Sequence, residues 1–301
     1  MPPIEVIINE GSGGSVHGDE TAQSLRQQFI AYGVRANVHL AKTGAEIESL
    51  AKHAVESDAE LVVAGGGDGT ISTVAARLAK TGKTLGVLPL GTLNNFSKDL
   101  GIPQDLPGAV HIVATGEKRL IDLAEVNGRI FVNNSSIGLY PRIVLRRERQ
   151  QRLGSGKWNA AFWAALRIVR ISPFLKVRIT IDGKRFLRKT PFVFVGNNYY
   201  EMDLYNIGRR PRLDDGKLSV YFLHHGGRWG VTLLVYHTIF GRLRQWKDFE
   251  EVSTEGITIE TRRRRLPVAF DGEVRILDTP LHYRIRPKAL SVIVPKAETG
   301  Q

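Results

Sequence analysis

Strand-like and helix-like segments alternate through the N-terminal part of this 301-residue chain. Short apolar runs typical of buried strands are each followed by a segment whose apolar residues recur at helical spacing. The strand-like runs are EVIIN, RANVHLA, ELVVAG and TLGVLPLG. This alternation predicts a parallel sheet flanked by helices, in which ligands bind at the carboxyl ends of the strands. The loops NEGSGGSVHG, GGGDGT and PLGTLNN, which follow three of these runs, are rich in glycine.

The pattern changes near residue 120. Short β-type runs broken by Gly, Asn and Pro follow, and several alternate apolar with polar residues, which predicts antiparallel sheets or a sandwich. Helical segments near Trp158–Ile171 and Trp229–Leu243 interrupt this region. We therefore expect an α/β domain over residues 1–120 and a mainly antiparallel β-rich domain over residues 121–301. The extreme C-terminus is a candidate to return to the first domain.

Composition narrows the class of protein. The net charge of +12 and the pI near 10.0 favour a polyanionic partner, such as nucleic acid, an anionic membrane surface or a phosphorylated substrate. Surplus lysine and arginine that only maintain solubility are the alternative. The absence of cysteine excludes disulfides and thiolate metal sites. Since neither a signal peptide nor an apolar run of about 20 residues is present, we expect a soluble cytoplasmic protein.

The loop GGGDGT is typical of a phosphate cradle. Its four glycines allow the backbone to approach a ligand closely, and the N-terminus of the helix that follows favours bound phosphate. The lysine of a P-loop and the spacing G-x-G-x-x-G are both absent. The alternative is a tight connection between strand and helix in which Asp68 is only a helix cap.

Together with its neighbours, this loop resembles the diacylglycerol kinase catalytic family, which includes sphingosine kinases and bacterial lipid kinases. The most specific resemblance is GGGDGT followed by LGVLPLGTLNNF. The segments VIIN, RLDDGKLSVYFL and AFDGE resemble further family motifs, and all occur in the family's order over most of the chain. Two departures are Asn95, where the family usually has Asp, and NEGSG in place of an Asn-Pro start.

The resemblance implies ATP-dependent phosphorylation of a lipid hydroxyl, such as that of diacylglycerol, by a nucleotide-binding α/β domain and a β-sandwich domain. It places a set of residues around the nucleotide. These are Thr43, Gly66, Gly67, Asp68, Gly69, Thr70, Ile71, Ser72 and Thr92.

The resemblance also implies a metal ion. Asp215 matches the family's metal-loop aspartate, and the backbone carbonyls of Arg212 and Lys217 match its other ligands. Mg²⁺, a hard cation that prefers oxygen ligands, is consistent with this set. The alternative for the Asp-Asp-Gly sequence here is an ordinary turn before a strand.

Phosphoryl transfer to an alcohol requires a group that accepts the hydroxyl proton. If AFDGEV is a strand, Asp271 and Glu273 lie on one face of it, two residues apart. Either carboxylate is a candidate base, and the resemblance favours Asp271. The alternative is an Asp-Gly hairpin turn that carries two solvated acids.

Basic segments favour a membrane surface as partner. The run LRRERQQRLGSGKW leads into an apolar segment with Trp158, Phe162, Trp163, Arg167 and Arg170, which suits an interfacial helix on anionic lipid. A core helix with a solvated basic lead-in is the alternative. We expect a cytoplasmic protein that associates peripherally with the inner face of the membrane. No motif predicts specific nucleic-acid binding, and the sequence specifies neither the acceptor lipid nor the oligomeric state.

Two other functions stay open. NAD kinases also carry a Gly-Gly-Asp-Gly-Thr loop, although the Asn-Glu motif that those enzymes use for the nicotinamide ribose is absent here. A catalytically inactive lipid- or nucleotide-binding protein is the third hypothesis, motivated by Asn95.

Overall fold

The computed structural model describes residues 3–12, 18–138, 174–200, 210–223 and 249–296. Two compact units account for these residues. The first takes its described residues from Met1–Leu123, Arg212–Asp214 and Arg286–Gln301, and the second from Ala124–Pro211 and Asp215–Ile285. The interfacial segment and the two helical segments predicted from the sequence lie outside the described residues.

The first unit contains a parallel sheet covered by helices. Its first four strands are β1 (Ile4–Asn9), β2 (Ala36–Ala41), β3 (Leu61–Gly66) and β4 (Thr84–Pro89). The helices are α1 (Gly18–Ala31), α2 (Gly44–Glu56), α3 (Asp68–Leu78), α4 (Asn95–Asp99) and α5 (Leu106–Thr115). The strands lie in the order β2-β1-β3-β4, all parallel. This confirms the α/β architecture predicted from the alternating segments.

Helices cover this sheet because its strands are apolar on both faces. Every residue of β4 is buried, as are the first five residues of β1, a continuous pattern that parallel strands covered on both sides require. Helix α1 contacts α5, and α2 packs against α3. With right-handed crossovers, the strand order puts these two pairs on opposite faces of the sheet.

The strand order reverses beside β1, and this reversal defines where a ligand can bind. The chain passes from β1 outward to β2 and then returns across β1 to β3. The crossovers on either side of the β1–β3 boundary therefore diverge, and they leave a crevice at the carboxyl ends of these two strands. The glycine loop begins at the end of β3, beside this crevice.

The second unit is built from antiparallel strands. The strands after α5 are β5 (Glu117–Val126), β6 (Arg129–Phe131), β7 (Asn134–Gly138), β8 (Leu175–Ile181), β9 (Lys184–Thr190), β10 (Phe192–Asn197), β11 (Leu218–Leu223), β12 (Phe249–Thr254), β13 (Gly256–Thr261), β14 (Arg265–Phe270), β15 (Glu273–Asp278) and β16 (Leu281–Val294). One sheet has the order β12-β11-β10-β7-β14-β15, and the facing layer has the order β16-β13-β8-β9. A single buried apolar cluster lies between them and includes Val177, Val195, Val220 and Ile259. The unit is the β-sandwich that the alternating runs predicted.

Strand β16 is longer than its sequence predicts. We expected a strand over LHYRIRP, whereas β16 continues through Pro287 to Val294. The first part of β16 pairs with β13, and Ser291 and Val292 pair in parallel with β4. The strand passes Lys288 with a positive φ of 50°, and the Lys288 amide donates to the Asp122 carboxylate at 2.8 Å. That tertiary acceptor accommodates the irregularity that Pro287 introduces.

Candidate functional site

Helix α3 begins without a side-chain cap. Its N-cap residue is Gly67, which has no side chain to accept a hydrogen bond from the first turn. The first amide groups of a helix lack partners within the helix, and the helix dipole adds positive potential at this end. The start of α3 is therefore suited to an anionic ligand.

The glycines of this loop serve different purposes. A Cβ at Gly65 would meet the Ile8 side chain at 2.2 Å, and one at Gly66 would meet Thr70 at 2.6 Å. In the loop after β4, a Cβ at Gly91 would meet the Gly67 Cα at 2.4 Å. Packing within the protein therefore accounts for these three glycines.

No packing contact in the described protein requires glycine at position 69. A Cβ at this position would find nothing within 4 Å, and its backbone lies in the first turn of α3. Gly67 is intermediate, because a Cβ there would make an ordinary contact of 3.5 Å with Gly91. Among the predicted cradle residues, Gly69 is thus the glycine whose missing side chain leaves open space for a ligand.

Asp68 joins the loops that follow β3 and β4. Its carboxylate accepts the amide of Asn95 at 3.2 Å and the amide of Phe96 at 3.0 Å. The alternative made Asp68 the cap of the helix that follows the glycine loop, but the N-cap of that helix is Gly67, and the Asp68 carboxylate instead binds amides at the start of α4. Because both donors are backbone amides, these bonds hold the segment PLGTLNN against the glycine loop whatever side chain occupies position 95.

The loop after β1 is tied to the glycine loop by Asn9. Its Nδ2 donates to the Thr70 hydroxyl at 3.0 Å, and its Oδ1 accepts the Gly11 amide at 3.0 Å. Sequence reasoning included VIIN in the resemblance but assigned Asn9 no role. The sequence feature that could have identified Asn9 is a polar residue at the end of a buried strand, at the edge of the sheet where the other loops converge.

A buried polar atom lies beside the same loops. The Asn94 side chain is only 6% exposed; its Nδ2 donates to the Pro89 carbonyl at 3.3 Å, and its Oδ1 has no hydrogen-bond partner in the described part of the chain. This Oδ1 atom lies 2.7 Å from the position that a Cβ on Gly91 would occupy. Buried acceptors normally have a donor, so this atom indicates a place where a ligand or a water supplies one.

The other predicted nucleotide contacts lie at the same edge of the sheet but differ in availability. Thr43 is the N-cap of α2, and its hydroxyl accepts the Glu46 amide at 3.2 Å. Thr92 is exposed in the loop after β4. Ile71 and Ser72 are buried in α3. Ile71 therefore belongs to the core through its side chain and offers a ligand only its backbone.

In the second unit, the predicted geometry of Asp271 and Glu273 is wrong. We expected one strand to carry both side chains on one face. Instead, Phe270 at the end of β14 pairs with Glu273 at the start of β15, and Asp271 and Gly272 form the hairpin loop between them. Both loop residues have positive φ, 49° and 86°, which is the conformation that Asp-Gly favours in two-residue hairpins. The local turn preference outweighed continuation of the strand.

The Asp271 carboxylate is held by backbone amides. It accepts the amides of Val132 and Asn133, each at 2.8 Å, and that of Asn134 at 3.3 Å. These bonds attach the β14–β15 hairpin to the loop between β6 and β7 and fix the orientation of the carboxylate. Glu273 is exposed and pairs with Arg275 at 3.2 Å. The two acids therefore have different environments.

A buried arginine extends this network. Arg210 is 2% exposed and donates to the Val132 carbonyl and to the Asn133 Oδ1, both at 2.7 Å. Asn197 Nδ2 donates to the same Val132 carbonyl at 2.7 Å. Sequence reasoning missed all of these residues. The doublets Asn133-Asn134 and Asn197-Asn198, each at the end of an apolar run, were the signal that would have found the asparagines.

The network continues to the loop that contains Asp215. Asn198, with a positive φ of 66°, accepts the Asp215 amide through its Oδ1 at 3.1 Å and donates its own amide to the Lys217 carbonyl at 3.0 Å. Asp215 lines an open pocket of about 260 Å³ in the second unit. Its other lining residues are Tyr199, Lys217, Leu218, Ser219 and Ser253. Hydrogen bonds thus connect the segments of AFDGE and RLDDGKLSVYFL, which are far apart in sequence.

Two tyrosine hydroxyls in this unit remain protonated donors. Burial, reinforced by Glu251, raises the pKa of Tyr221 far above its ordinary value, and the hydroxyl donates to the Tyr200 carbonyl at 3.0 Å. Burial likewise raises the pKa of Tyr283, whose hydroxyl lies 3.1 Å from that of Ser135. Neither group is suited to accept a proton from a substrate.

The described part of the chain contains no acidic cluster typical of a metal site. Within residues 3–12, 18–138, 174–200, 210–223 and 249–296, no three His, Cys, Asp or Glu side chains are grouped to hold an ion. Over the same ranges, no helix has both the length and the apolar character that are needed to cross a membrane.

Comparison with known proteins identifies both units. Residues 3–126 match the diacylglycerol kinase catalytic domain, and residues 144–294 match the YegS C-terminal NAD kinase beta sandwich-like domain. The chain therefore carries a diacylglycerol kinase catalytic domain followed by a YegS-type C-terminal domain, and the second match alone covers half of the chain. This confirms the resemblance that the glycine loop and its neighbours indicated.

Individual relatives agree with this assignment. A diacylglycerol kinase of Bacillus subtilis (strain 168) is 33% identical over 62% of each chain. A Klebsiella pneumoniae (strain 342) protein named "Probable lipid kinase YegS-like" is 31% identical over 61% of each chain. The chain thus spans under two thirds of the length of these relatives. A crystal structure of a diacylglycerol kinase from Bacillus anthracis str. Sterne superposes with a TM-score of 0.74 at 24% identity, covering 98% of this chain and 97% of that one, which shows the shared fold.

We predict that Asp271→Asn destabilises the protein by about 1–3 kcal/mol. An amide that replaces the carboxylate turns an NH₂ group towards backbone amides, so a buried donor loses its acceptor. Glu273→Gln removes only an exposed ion pair and is expected to cost less than about 0.5 kcal/mol. Urea denaturation of the two variants measures the difference. Equal midpoints for both variants and the parent would show that the Asp271 bonds do not support the fold.

Proposed function

We propose that this protein is an ATP-dependent lipid kinase that transfers the γ-phosphoryl group of ATP to a lipid hydroxyl such as that of diacylglycerol. The observation that carries the proposal is the uncapped N-terminus of α3, at the switch point between β1 and β3, with open space beside Gly69. A phosphate group there accepts amide donors and benefits from the helix dipole. Family membership implies that a nucleotide supplies the phosphoryl group.

A buried acceptor beside the cradle is compatible with a bound nucleotide. The unpartnered Asn94 Oδ1 requires a donor, which a ribose hydroxyl, a base amino group or a water supplies and a fully ionised phosphate does not. The proposed contacts are the nine residues inferred from the resemblance, from Thr43 to Thr92. Of these, Thr43 and Thr92 contribute exposed hydroxyls, and the α3 residues contribute mainly backbone.

Magnesium is proposed as the metal ion. Mg²⁺ is usually held by one or two protein carboxylates together with phosphate and water oxygens. The Asp215 carboxylate, with the carbonyls of Arg212 and Lys217, would hold the ion. Asn198 orients this loop by bonding to the backbone of Asp215 and Lys217. When bound, the cation supplies charge neutralisation for the transferred phosphoryl group.

Asp271 is the proposed acceptor of the lipid hydroxyl proton. The amides of Val132, Asn133 and Asn134 hold its carboxylate in one orientation, as positioned bases require. Glu273 is proposed to support this base by orienting a cation or a water. Its carboxylate is exposed and pairs with Arg275. The lipid acceptor in turn implies peripheral association with an anionic membrane surface on the cytoplasmic side.

The direct test combines γ-labelled ATP, Mg²⁺ and the purified protein with a total lipid extract, followed by identification of the labelled product. We expect label in a lipid whose acceptor is a free hydroxyl. A parallel reaction offers NAD as acceptor. Label in NAD alone would identify an NAD kinase. Label in neither acceptor would favour a catalytically inactive lipid- or nucleotide-binding protein.

We predict that Gly69→Ala weakens ATP binding by about tenfold or more while the folded protein keeps its stability. The methyl group enters space that is open in the protein but that a phosphate would occupy, so amide bonds to the phosphate lengthen or break. Calorimetric titration with ATP measures the affinity. Gly91→Ala provides the contrast, since its Cβ meets the backbone of Gly67 and should lower stability instead. Unchanged ATP affinity in Gly69→Ala would contradict the cradle.

We predict that Asp271→Asn lowers turnover by about 10²–10⁴-fold, as expected for loss of a general base. ATP affinity should stay close to that of the parent. Turnover is measured at saturating ATP and lipid, at a temperature where the variant is fully folded. Glu273→Gln is expected to reduce turnover less. Normal turnover in folded Asp271→Asn would contradict its role as the general base and leave Asp271 as a residue that only supports the fold.

A further inference from the structure

The hairpin of β8 and β9 presents a basic face to solvent. Residues directly opposite each other in an antiparallel pair lie on the same face. The buried residues of β8, Val177 and Ile179 among them, therefore define the inner face. On the outer face, the opposed pairs are Lys176 with Lys189, Arg178 with Leu187, and Thr180 with Arg185.

An exposed leucine lies at the centre of this outer face. Leu187 is 74% exposed, the highest fraction among the large apolar residues of the described chain. Arg178 lies opposite it, Arg185 and Lys189 lie two residues away on the same strand, and Lys176 lies on the diagonal. All four cations are exposed. We call these five residues the β8–β9 patch.

Few acids offset the charge of the patch. Glu260 of the adjoining strand β13 pairs with Arg178 at 3.0 Å, and Asp182 lies in the hairpin turn. The Nζ of Lys189 lies 5.5 Å from the ring centroid of Phe174, so this charge adjoins a further apolar group. The β8–β9 patch therefore has a net positive charge around the apolar side chain of Leu187.

Protection of a sheet edge explains only part of this pattern. In the described residues, β9 pairs with β8 alone and ends its sheet, and natural edge strands often carry lysine and arginine to prevent aggregation. Protection from aggregation requires charged side chains. It does not require an exposed leucine, which promotes aggregation. The Leu187 side chain therefore needs a different explanation.

The chemistry fits a lipid surface better than nucleic acid. Cations around a protruding aliphatic side chain match anionic headgroups above acyl chains, where the charges remain at the interface and the leucine enters the apolar layer. Cations alone also bind nucleic-acid phosphates, but Leu187 adds neither an aromatic ring that stacks on single-stranded bases nor a polar group that reads base edges.

We propose that the β8–β9 patch docks the protein on an anionic lipid bilayer. The inference rests on the proposed lipid kinase function, because an enzyme that acts on a bilayer lipid must reach the interface. It assigns docking to residues other than the interfacial segment predicted from the sequence.

Vesicle co-sedimentation tests the patch with the full chain. On phosphatidylcholine vesicles that contain phosphatidylglycerol, Arg185→Gln/Lys189→Gln should lower the partition coefficient about 10- to 30-fold, and its salt dependence should become shallower. Leu187→Ser should lower the partition coefficient about tenfold without a change in the salt dependence, because it removes only apolar burial. The matched control, Lys52→Gln/Lys118→Gln, removes two exposed charges of the first unit and should bind as the parent does.

Three results would overturn the docking surface. These are equal loss of binding in the control, parent-like binding in both patch variants, and binding of the parent to pure phosphatidylcholine as strong as to the mixed vesicles. A parallel titration with a nucleic-acid duplex covers the other partner class. If Arg185→Gln/Lys189→Gln weakens duplex binding while vesicle binding is unchanged, the patch is a nucleic-acid surface and the proposal fails.

An activity assay separates this inference from the proposed function. Both patch variants should phosphorylate a short-chain diacylglycerol dispersed as monomers at the parent rate, and only phosphorylation of vesicle-borne acceptor should fall. A parent that transfers phosphate to no lipid, yet sediments with anionic vesicles through the patch, refutes the kinase and keeps the docking surface. Equal loss of activity on both forms of acceptor contradicts a role confined to docking.

Discussion

The strand order β2-β1-β3-β4 is the constraint on which the first unit depends. Parallel strands joined by right-handed crossovers bring all their carboxyl ends to one edge of the sheet. The loop after β1, the glycine loop and the segment after β4 therefore meet, although they are far apart in sequence. Hydrogen bonds from Asn9 to Thr70 and from the α4 backbone to Asp68 then hold the three loops together.

Aspartates in this protein act repeatedly as acceptors for backbone amides. Asp68 accepts two amides of α4, Asp105 accepts the Gly108 amide, Asp122 accepts that of Lys288, and Asp271 accepts three amides of the β6–β7 loop. In each case the carboxylate accepts amides that lie at a helix start, in a loop or at an irregularity in a strand, where regular secondary structure supplies no acceptor. The role of a positioned base and a structural role are compatible for Asp271, because the same bonds that support the hairpin also orient the carboxylate.

The second unit separates its polar chemistry from its apolar core. Arg210 is buried, and its guanidinium lies among carbonyls and amides at the ends of β6 and β10. Its hydrogen bonds offset the desolvation of the charge. The β8–β9 patch lies on the outer face of the other layer, where its cations are exposed to solvent and Arg178 pairs with Glu260. The positive side chains of this unit therefore differ in role according to burial. Arg210 joins segments of the backbone, whereas the cations of the β8–β9 patch face solvent.

The sequence by itself determined the fold class, the family and the location of the glycine loop, because hydrophobic periodicity and glycine placement act locally. Tertiary structure decided which glycines packing requires, since the contact between Gly91 and Gly67 joins loops separated along the chain. It also decided that Asp68 caps α4, that Asp271 lies in a hairpin turn, and that Arg210 is buried. The partners of these side chains come from distant strands, and no local pattern specifies which strand end an acid or a guanidinium will meet. The outer face of the β8–β9 hairpin became visible for the same reason, because register alone determines that its cations surround Leu187.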